Sequence, residues 1–237
     1  MVGMHAPLRV AAAQPVCRAL DLTANARAHA DAIRAAEARV VVFPELSLTG
    51  YELEADPVPL DAPVWTSIVD ACSESGSVAL VGAPVQDASG RSFIAMLEVS
   101  PAGVRLVYRK GWLGGDEPRR FSSGDGPTVL EVDGWRLGLG ICKDTGAAQH
   151  VAGMAALGVD AYLAGLVHRP EELPEQEARA VVIARACRAW VVFASFAGAT
   201  GGVFSETAGS SAVWSPDGLA VARVGPEAGS IVRATLG

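Results

Sequence analysis

The chain has 237 residues, half of them hydrophobic and 19% charged, with a formal net charge of −7. That is enough apolar material for a large core, and no composition break or low-complexity tract interrupts it, so one domain over residues 1–237 is expected. The acidic balance, with Lys and Arg not gathered into a stripe, excludes nucleic acid as the expected partner, and the apolar stretches are too short and too often interrupted to cross a bilayer.

In chain order, Leu8 to Gln14 reads as a short buried strand. Asp21 to Arg39 reads as a helix, with Leu22, Ala26, Ile33 and Ala36 on or near one face. Val40 to Phe43 is a β-branched run of the kind covered on both faces, and Pro44 should end it and leave Glu45 at its tip. Trp65 to Ser73 fits a helix and Val78 to Ala83 another buried strand. The middle of the chain is different. Phe93 to Val99, Val104 to Tyr108, Thr128 to Val132 and Trp135 to Ile141 are strands with little helix between them, and Pro101-Ala102-Gly103 and Asp133-Gly134 suit hairpin turns. Alternation then returns: helix from Val151 to Leu157 stopped by Gly158, strand from Asp160 to Leu166, helix from Glu175 to Arg188, strand from Trp190 to Phe196. Ser211 to Thr235 is strand again, turned at Ser215-Pro216-Asp217-Gly218. The pattern predicts a layered α/β protein whose helices cover the sheet faces.

Three polar residues close apolar runs: Glu45 after V-V-V-F-P, Lys110 after V-R-L-V-Y-R, and Cys142 after R-L-G-L-G-I. Strand ends are where a rigid scaffold aims reactive groups into a crevice, and a carboxylate, an ammonium and a thiol are the base, charge stabiliser and attacker of a nucleophilic hydrolase. Each also has an ordinary reading: Cys142 as a small core residue, Glu45 as a cap, Lys110 as a solvated strand end. Context favours the chemistry. Asp144 or Thr145 can cap a following helix, whose N-terminus would lower the thiol pKa, and Gly140 and Gly146 permit a tight strand-to-helix bend. Glu45 enters apolar sequence that should raise its pKa, as a base near neutrality requires. Cys17, Cys72 and Cys187 lack such surroundings and read as structural. No C-x-x-C pair occurs, and His5, His29, His150 and His168 show no metal-binding spacing, so no metal or other cofactor is expected. Free thiols and the absence of a leader-like pattern in Met1 to Pro7 point to the cytoplasm.

The runs V-V-F-P-E-L-S-L-T-G-Y (41 to 51), Y-R-K-G-W-L (108 to 113) and G-I-C-K-D (140 to 144), in that order, closely resemble the nitrilase superfamily of carbon–nitrogen hydrolases, in its amidase-like branch. A-A-A-Q-P-V (11 to 16), E-P-R-R-F-S-S-G (117 to 124) and A-G-S-S-A-V-W-S-P-D-G (208 to 218) extend the likeness to nearly the whole chain. The resemblance implies a four-layer α-β-β-α sandwich, often assembled as a homodimer or larger homo-oligomer. It implies Glu45 as general base and Cys142 as the nucleophile that forms a thioester acyl-enzyme. Lys110 would stabilise the oxyanion with help from the Lys143 backbone N–H, and Glu117 would position the site or the substrate.

The segment after the nucleophile departs from the family pattern. Many amidases have an aromatic residue at the position of Lys143, and some an arginine at that of Gly146. If that arginine binds a substrate carboxylate in relatives, Lys143 or the His168-Arg169 pair is the expected substitute here. The expected activity is hydrolysis of a non-peptide carbon–nitrogen bond of a small molecule, most simply an amide. N-carbamoyl hydrolase, nitrilase and a non-catalytic ligand-binding member of the fold are the alternatives.

Overall fold

Two six-stranded sheets form the centre of the protein in the computed structural model, which describes residues 6–202 and 204–237. His5 and most of the Met1 to Pro7 segment lie outside the described residues. The first sheet is built from β1 (Leu8–Ala13), β2 (Val40–Val42), β3 (Val78–Gln86), β4 (Ser92–Ser100), β5 (Gly103–Arg109) and β12 (Ile231–Leu236), in the order β12-β1-β2-β3-β4-β5. The second has the order β11-β10-β9-β8-β7-β6, from β6 (Thr128–Val132), β7 (Trp135–Ile141), β8 (Ala161–Leu166), β9 (Trp190–Ser195), β10 (Ala212–Trp214) and β11 (Ala220–Arg223). Each sheet is parallel at its centre, through β1-β2-β3 and β7-β8-β9, and antiparallel outside it. Helices α1 (Leu22–Ala36) and α2 (Thr66–Ser75) cover the first sheet; α3 (Ala148–Leu157) and α4 (Leu173–Cys187) cover the second.

The period of two along each strand explains the layers. Val10 and Ala12 of β1 face the partner sheet, while Ala11 and Ala13 face α1 and α2. In β8, Ala161 and Leu163 enter the inter-sheet core, while Tyr162, Ala164 and Leu166 pack toward α3 and α4. Strands covered on both faces have no polar alternation to show, which is why they read as continuous apolar runs. The four-layer α-β-β-α sandwich follows.

The expected elements are all present, with shifted ends. Helix α1 is shorter than Asp21 to Arg39, because the Asp21 side chain caps it by accepting from the Ala24 N–H and Glu37 leaves it in the left-handed conformation. β2 stops at Val42, so Glu45 lies three residues past the strand and not at its tip. The Asp133-Gly134 turn has positive φ at both positions, 51° and 88°, as a tight hairpin requires. The chain crosses between sheets after β5, a change that strand patterning does not reveal.

The segment Phe43 to Leu46 runs between the sheets, and two glycines make room for it. A Cβ on Gly165 of β8 would lie 2.6 Å from the Phe43 carbonyl oxygen and 2.9 Å from the Glu45 nitrogen. One on Gly82 of β3 would collide with the Pro44 carbonyl oxygen and sit 2.6 Å from the Leu46 nitrogen. These obstacles are backbone, held in turn by Phe43 N–H donating to Leu80 O at 2.9 Å, and cannot swing aside. Gly165→Ala is therefore expected to lower stability by about 2 kcal/mol in urea unfolding; an unchanged midpoint would show that the segment yields.

Candidate active site

Lys110, the first residue after β5, is the most unusual side chain in the core: an ammonium only 1% exposed. Its Nζ donates to Glu45 Oε1 at 2.6 Å and to Glu117 Oε1 at 2.7 Å. Burying a charge without partners is prohibitive, so the two carboxylates are the condition for its presence. Glu117 opens a short 3-10 turn (Glu117–Arg119), and its Oε2 accepts from the Gly114 N–H at 2.9 Å. Glu45, also 1% exposed, has its second oxygen, Oε2, buried with no hydrogen-bond partner among the described residues. That free oxygen is a buried acceptor held by no described residue.

Cys142 follows β7 directly and opens a 3-10 turn, Cys142–Gly146, with its own φ at +41°. A non-glycine residue in this region is strained, and such strain is held only where surrounding contacts fix it. Here Asp144 fixes it. One of its oxygens accepts from the Ile141 N–H and the Tyr108 hydroxyl, both at 2.9 Å, and the other from the Trp112 N–H at 2.8 Å. Asp144 thereby ties the bend after β7 to the loop that follows Lys110. Thr145 Oγ1 donates to the Cys142 carbonyl at 2.7 Å.

Neither Asp144 nor Thr145 therefore caps α3, which begins six residues after Cys142 without a side-chain cap. The expected role of the flanking glycines is also corrected. Cys142 itself takes the positive φ; Gly140 is needed because the Tyr162 hydroxyl fills the space of a Cβ, and Gly146 because the Arg179 guanidinium lies about 3.0 Å from where its Cβ would be. The expected lowering of the thiol pKa is overturned as well. Burial pushes Cys142 up to about 12, with Glu45 adding to the rise and Lys110 opposing it. At rest the residue is a thiol, with its Sγ 3.3 Å from the Val167 carbonyl oxygen.

Burial likewise pushes the Glu45 carboxyl up to about 7, against the pull of Lys110 and with a further push from Glu117. For Lys110, burial acts downward, but the neighbouring carboxylates of Glu45 and Glu117 outweigh it and the ammonium is held well above its ordinary range. Asp144 is raised to about 6 by burial, restrained by its three donors.

Lys110, Glu117 and Cys142 line a cavity of about 460 Å³, with Glu45 buried behind it and Tyr51, Val167 and Phe204 among its walls. Lys143, His168 and Arg169 line the same cavity. Lys143 is exposed and second in the 3-10 turn, where its N–H has no acceptor within the turn. Arg169 stacks its guanidinium over the Phe204 ring at 5.1 Å. His168 is buried and committed at both ring nitrogens: Nδ1 contacts Gln176 Oε1 at 3.0 Å and Nε2 contacts Arg179 Nη1 at 3.4 Å. A guanidinium can only donate, so Nε2 accepts and Nδ1–H donates to Gln176. His168 is thus a neutral imidazole, its pKa held down chiefly by burial, and it supplies no positive charge.

Arg179, in α4, also lines the cavity, and no motif or spacing singles it out. Its spacing from Glu175 reads as a solvated helix pair, and that pair does exist at 2.5 Å. A larger hollow, about 550 Å³, lies between α3 and α4; alanines and valines dominate its lining and it holds no nucleophile. The other cysteines are free thiols away from this cavity, with Cys187 the last residue of α4. Among the described residues no group of His, Cys, Asp or Glu is arranged to hold a metal ion, and no helix is long and apolar enough to cross a membrane.

Removing the ammonium leaves two buried carboxylates facing one another. Lys110→Met is expected to lower stability by about 3 kcal/mol at pH 8. The loss should shrink toward pH 5, where Glu45 takes up a proton. Urea unfolding of Lys110→Met, Glu45→Gln and the double variant at both pH values measures the coupling; strictly additive losses would show that the cluster is not electrostatically joined.

Comparison with known proteins is consistent with this arrangement. A family model described as carbon-nitrogen hydrolase matches residues 9–236. A protein of Pseudomonas protegens, described as a hydrolase in the pqqF 5' region, is 30% identical over 95% of this chain and 81% of its own length. An (R)-stereoselective amidase of a Pseudomonas species is 30% identical over 54% of this chain and 48% of its own. Among solved structures, Nit3 of Saccharomyces cerevisiae, from branch 10 of the nitrilase superfamily, superposes with a TM-score of 0.86 at 20% identity, covering 97% of this chain and 90% of that one. An amidase from a Nesterenkonia species gives a TM-score of 0.82 at 24% identity, with 97% and 90% covered. At these identities the structural likeness speaks for the fold, and the family match decides membership: the chain belongs to the carbon–nitrogen hydrolase family.

Proposed function

We propose that the protein hydrolyses a non-peptide carbon–nitrogen bond of a small molecule, an amide in the first instance, through a thioester on Cys142. The observation that carries this reading is the free Oε2 of Glu45, buried and pushed to a pKa of about 7, behind a cavity that contains a strained, protonated cysteine. In the proposed reaction Glu45 accepts the thiol proton as Sγ attacks the carbonyl carbon. The negative charge that develops on the carbonyl oxygen is met by the Lys110 ammonium and the Lys143 N–H. Glu45 then returns the proton to the leaving nitrogen, the C–N bond breaks, and ammonia or an amine departs. Water, deprotonated by the same carboxylate, attacks the thioester; the C–S bond breaks, the acid leaves and the thiol is regenerated. Glu117 holds Lys110 from the opposite side to Glu45.

A thiol kept at rest suits this scheme, because the nucleophile is generated only when a substrate carbon can receive it. The amidase from the Nesterenkonia species supports the cysteine's role by likeness: a glutamate-to-glutamine mutant of it shows covalent addition of the acetamide moiety of fluoroacetamide at the active-site cysteine. N-carbamoyl compounds and nitriles would use the same residues. A purely ligand-binding role accounts poorly for the strain at Cys142 and the open carboxylate oxygen. A reducing cytoplasm suits a catalytic thiol. Assembly into a homodimer or larger oligomer would use the apolar α3–α4 hollow, where Val182 stands 59% exposed.

The test is ammonia release from a panel of small amides, N-carbamoyl compounds and nitriles. At least one class should turn over, Cys142→Ala should abolish it, and Glu45→Gln should reduce kcat/KM by about 10²–10⁴-fold. Wild-type kcat/KM should fall as pH drops through about 7, since protonated Glu45 cannot accept from the thiol. Turnover that survives in Cys142→Ala, or a flat acid limb, would refute the mechanism.

A further inference from the structure

Two histidines, His29 and His150, are fully buried and take no part in the proposed reaction, and His29 touches the segment that carries its base. Helix α1 turns two buried polar residues, Asn25 and His29, toward that segment, one helical turn apart. Asn25 Nδ2 donates to the Leu48 carbonyl at 2.9 Å and to the Arg18 carbonyl at 2.8 Å. The His29 ring lies against the Phe43 ring, with centroids 4.3 Å apart and planes tilted by 32°. Its Nε2 meets Ser47 Oγ at 2.8 Å, and its Nδ1 meets the Asn25 carbonyl at 2.7 Å. A carbonyl can only accept, so Nδ1 carries the proton and Nε2 accepts from the Ser47 hydroxyl. One imidazole thus holds Phe43 and Ser47, and Glu45 stands midway between them.

The backbone just past Glu45 is strained. Leu46 has a φ of +48°, in the left-handed region, with its side chain fully buried. Such a conformation persists where neighbours over-determine it. The loop supplies part of this itself: the Ser47 N–H donates to the Pro44 carbonyl at 3.2 Å, and the Leu46 carbonyl accepts from the Thr49 and Tyr51 N–H groups at 3.1 and 3.0 Å. These bonds close the loop on itself, whereas Asn25 and His29 fasten it to α1. Gly82 and Gly165 leave a slot for the peptide, and a slot fixes position better than rotation about the chain. A hydrogen bond has direction, so the Ser47–His29 contact sets that rotation. An apolar side chain at position 29 would pack on Phe43 without doing so. Burial pushes His29 down to about 4, with the Asn25 carbonyl opposing, so the ring stays neutral where Glu45, faced by Lys110, Glu117 and Asp144, titrates.

We propose that His29, acting through Ser47, is a positioning residue for Glu45: it holds the rotation at which Oε1 stays on Lys110 while Oε2 is free to take the Cys142 proton. The proposal rests on the reading of Glu45 as the base for Cys142.

The test reads the rate at which iodoacetamide alkylates Cys142, followed by peptide mass spectrometry across neutral pH. In the wild type the rate should rise as pH passes through about 7, where Glu45 gives up its proton. His29→Leu and Ser47→Ala should each lower the rate above that midpoint by about tenfold, within what a misplaced group costs. His29→Gln, whose amide oxygen can accept from Ser47, should recover most of the loss. On any amide that turns over, the first two variants should lower kcat and leave KM in place. Loosening of the fold has the opposite sign, since it would speed labelling of Cys142 and of Cys72, buried in α2. Ser47→Ala, which removes a single oxygen, carries the test should His29→Leu fold poorly. Wild-type rates in both variants would overturn the proposal, and so would faster labelling of Cys142 in them. Glu45→Gln is the reference: labelling of Cys142 at the wild-type rate there would overturn the base assignment and this proposal with it. Alkylation needs no substrate, so failure of the hydrolase reading is seen separately, as no ammonia from any compound with the wild type.

Discussion

One buried ammonium shared between two carboxylates sets the terms for the rest of this site. Lys110 can neutralise only one of Glu45 and Glu117, and all three side chains are buried. Burial, with repulsion between the acidic groups adding to it, raises the pKa of Glu45 and keeps the proton on Cys142. These are not independent properties of separate residues but one distribution of charge and protons among neighbours. A cysteine activated in advance by a helix terminus would stand beside a lone cation; this one is buried beside two carboxyl groups and remains a thiol.

The cluster exists only because the two sheets meet. Glu45 comes from the connection after β2 and Lys110 from the end of β5, both in the first sheet, while Cys142 comes from the end of β7 in the second. Asp144 is the explicit tie between them, taking donors from Tyr108 and Trp112 on one side and Ile141 on the other. Inter-sheet packing thus supplies affinity between layers, and Asp144 supplies the register at the point where chemistry is proposed.

Much of this was legible in the chain. The apolar runs marked strands buried on both faces, and Pro44 marked the exit that carries Glu45 inward. What misled was local reasoning about Cys142: a capping residue and two glycines nearby suggested a helix terminus, whereas Asp144 reaches across to the other sheet and the glycines accommodate Tyr162 and Arg179. Such roles depend on residues tens of positions away and leave no periodic trace. Arg179 was invisible for the same reason. One compositional signal went unused: the chain has only two lysines, Lys110 and Lys143, and both line the cavity.

The narrow passage between Gly82 and Gly165 has a consequence for durability. Many proteins expose functional loops through local openings far cheaper than global unfolding. Here the peptide bearing Glu45 is gripped on both sides by β-strand backbone, so it has no private route to solvent; releasing it requires the sheets to part. The rim cations sit on a surface helix and loops and can drift or be replaced without that event. The mouth of the cavity can therefore change while the buried cluster lasts as long as the fold itself.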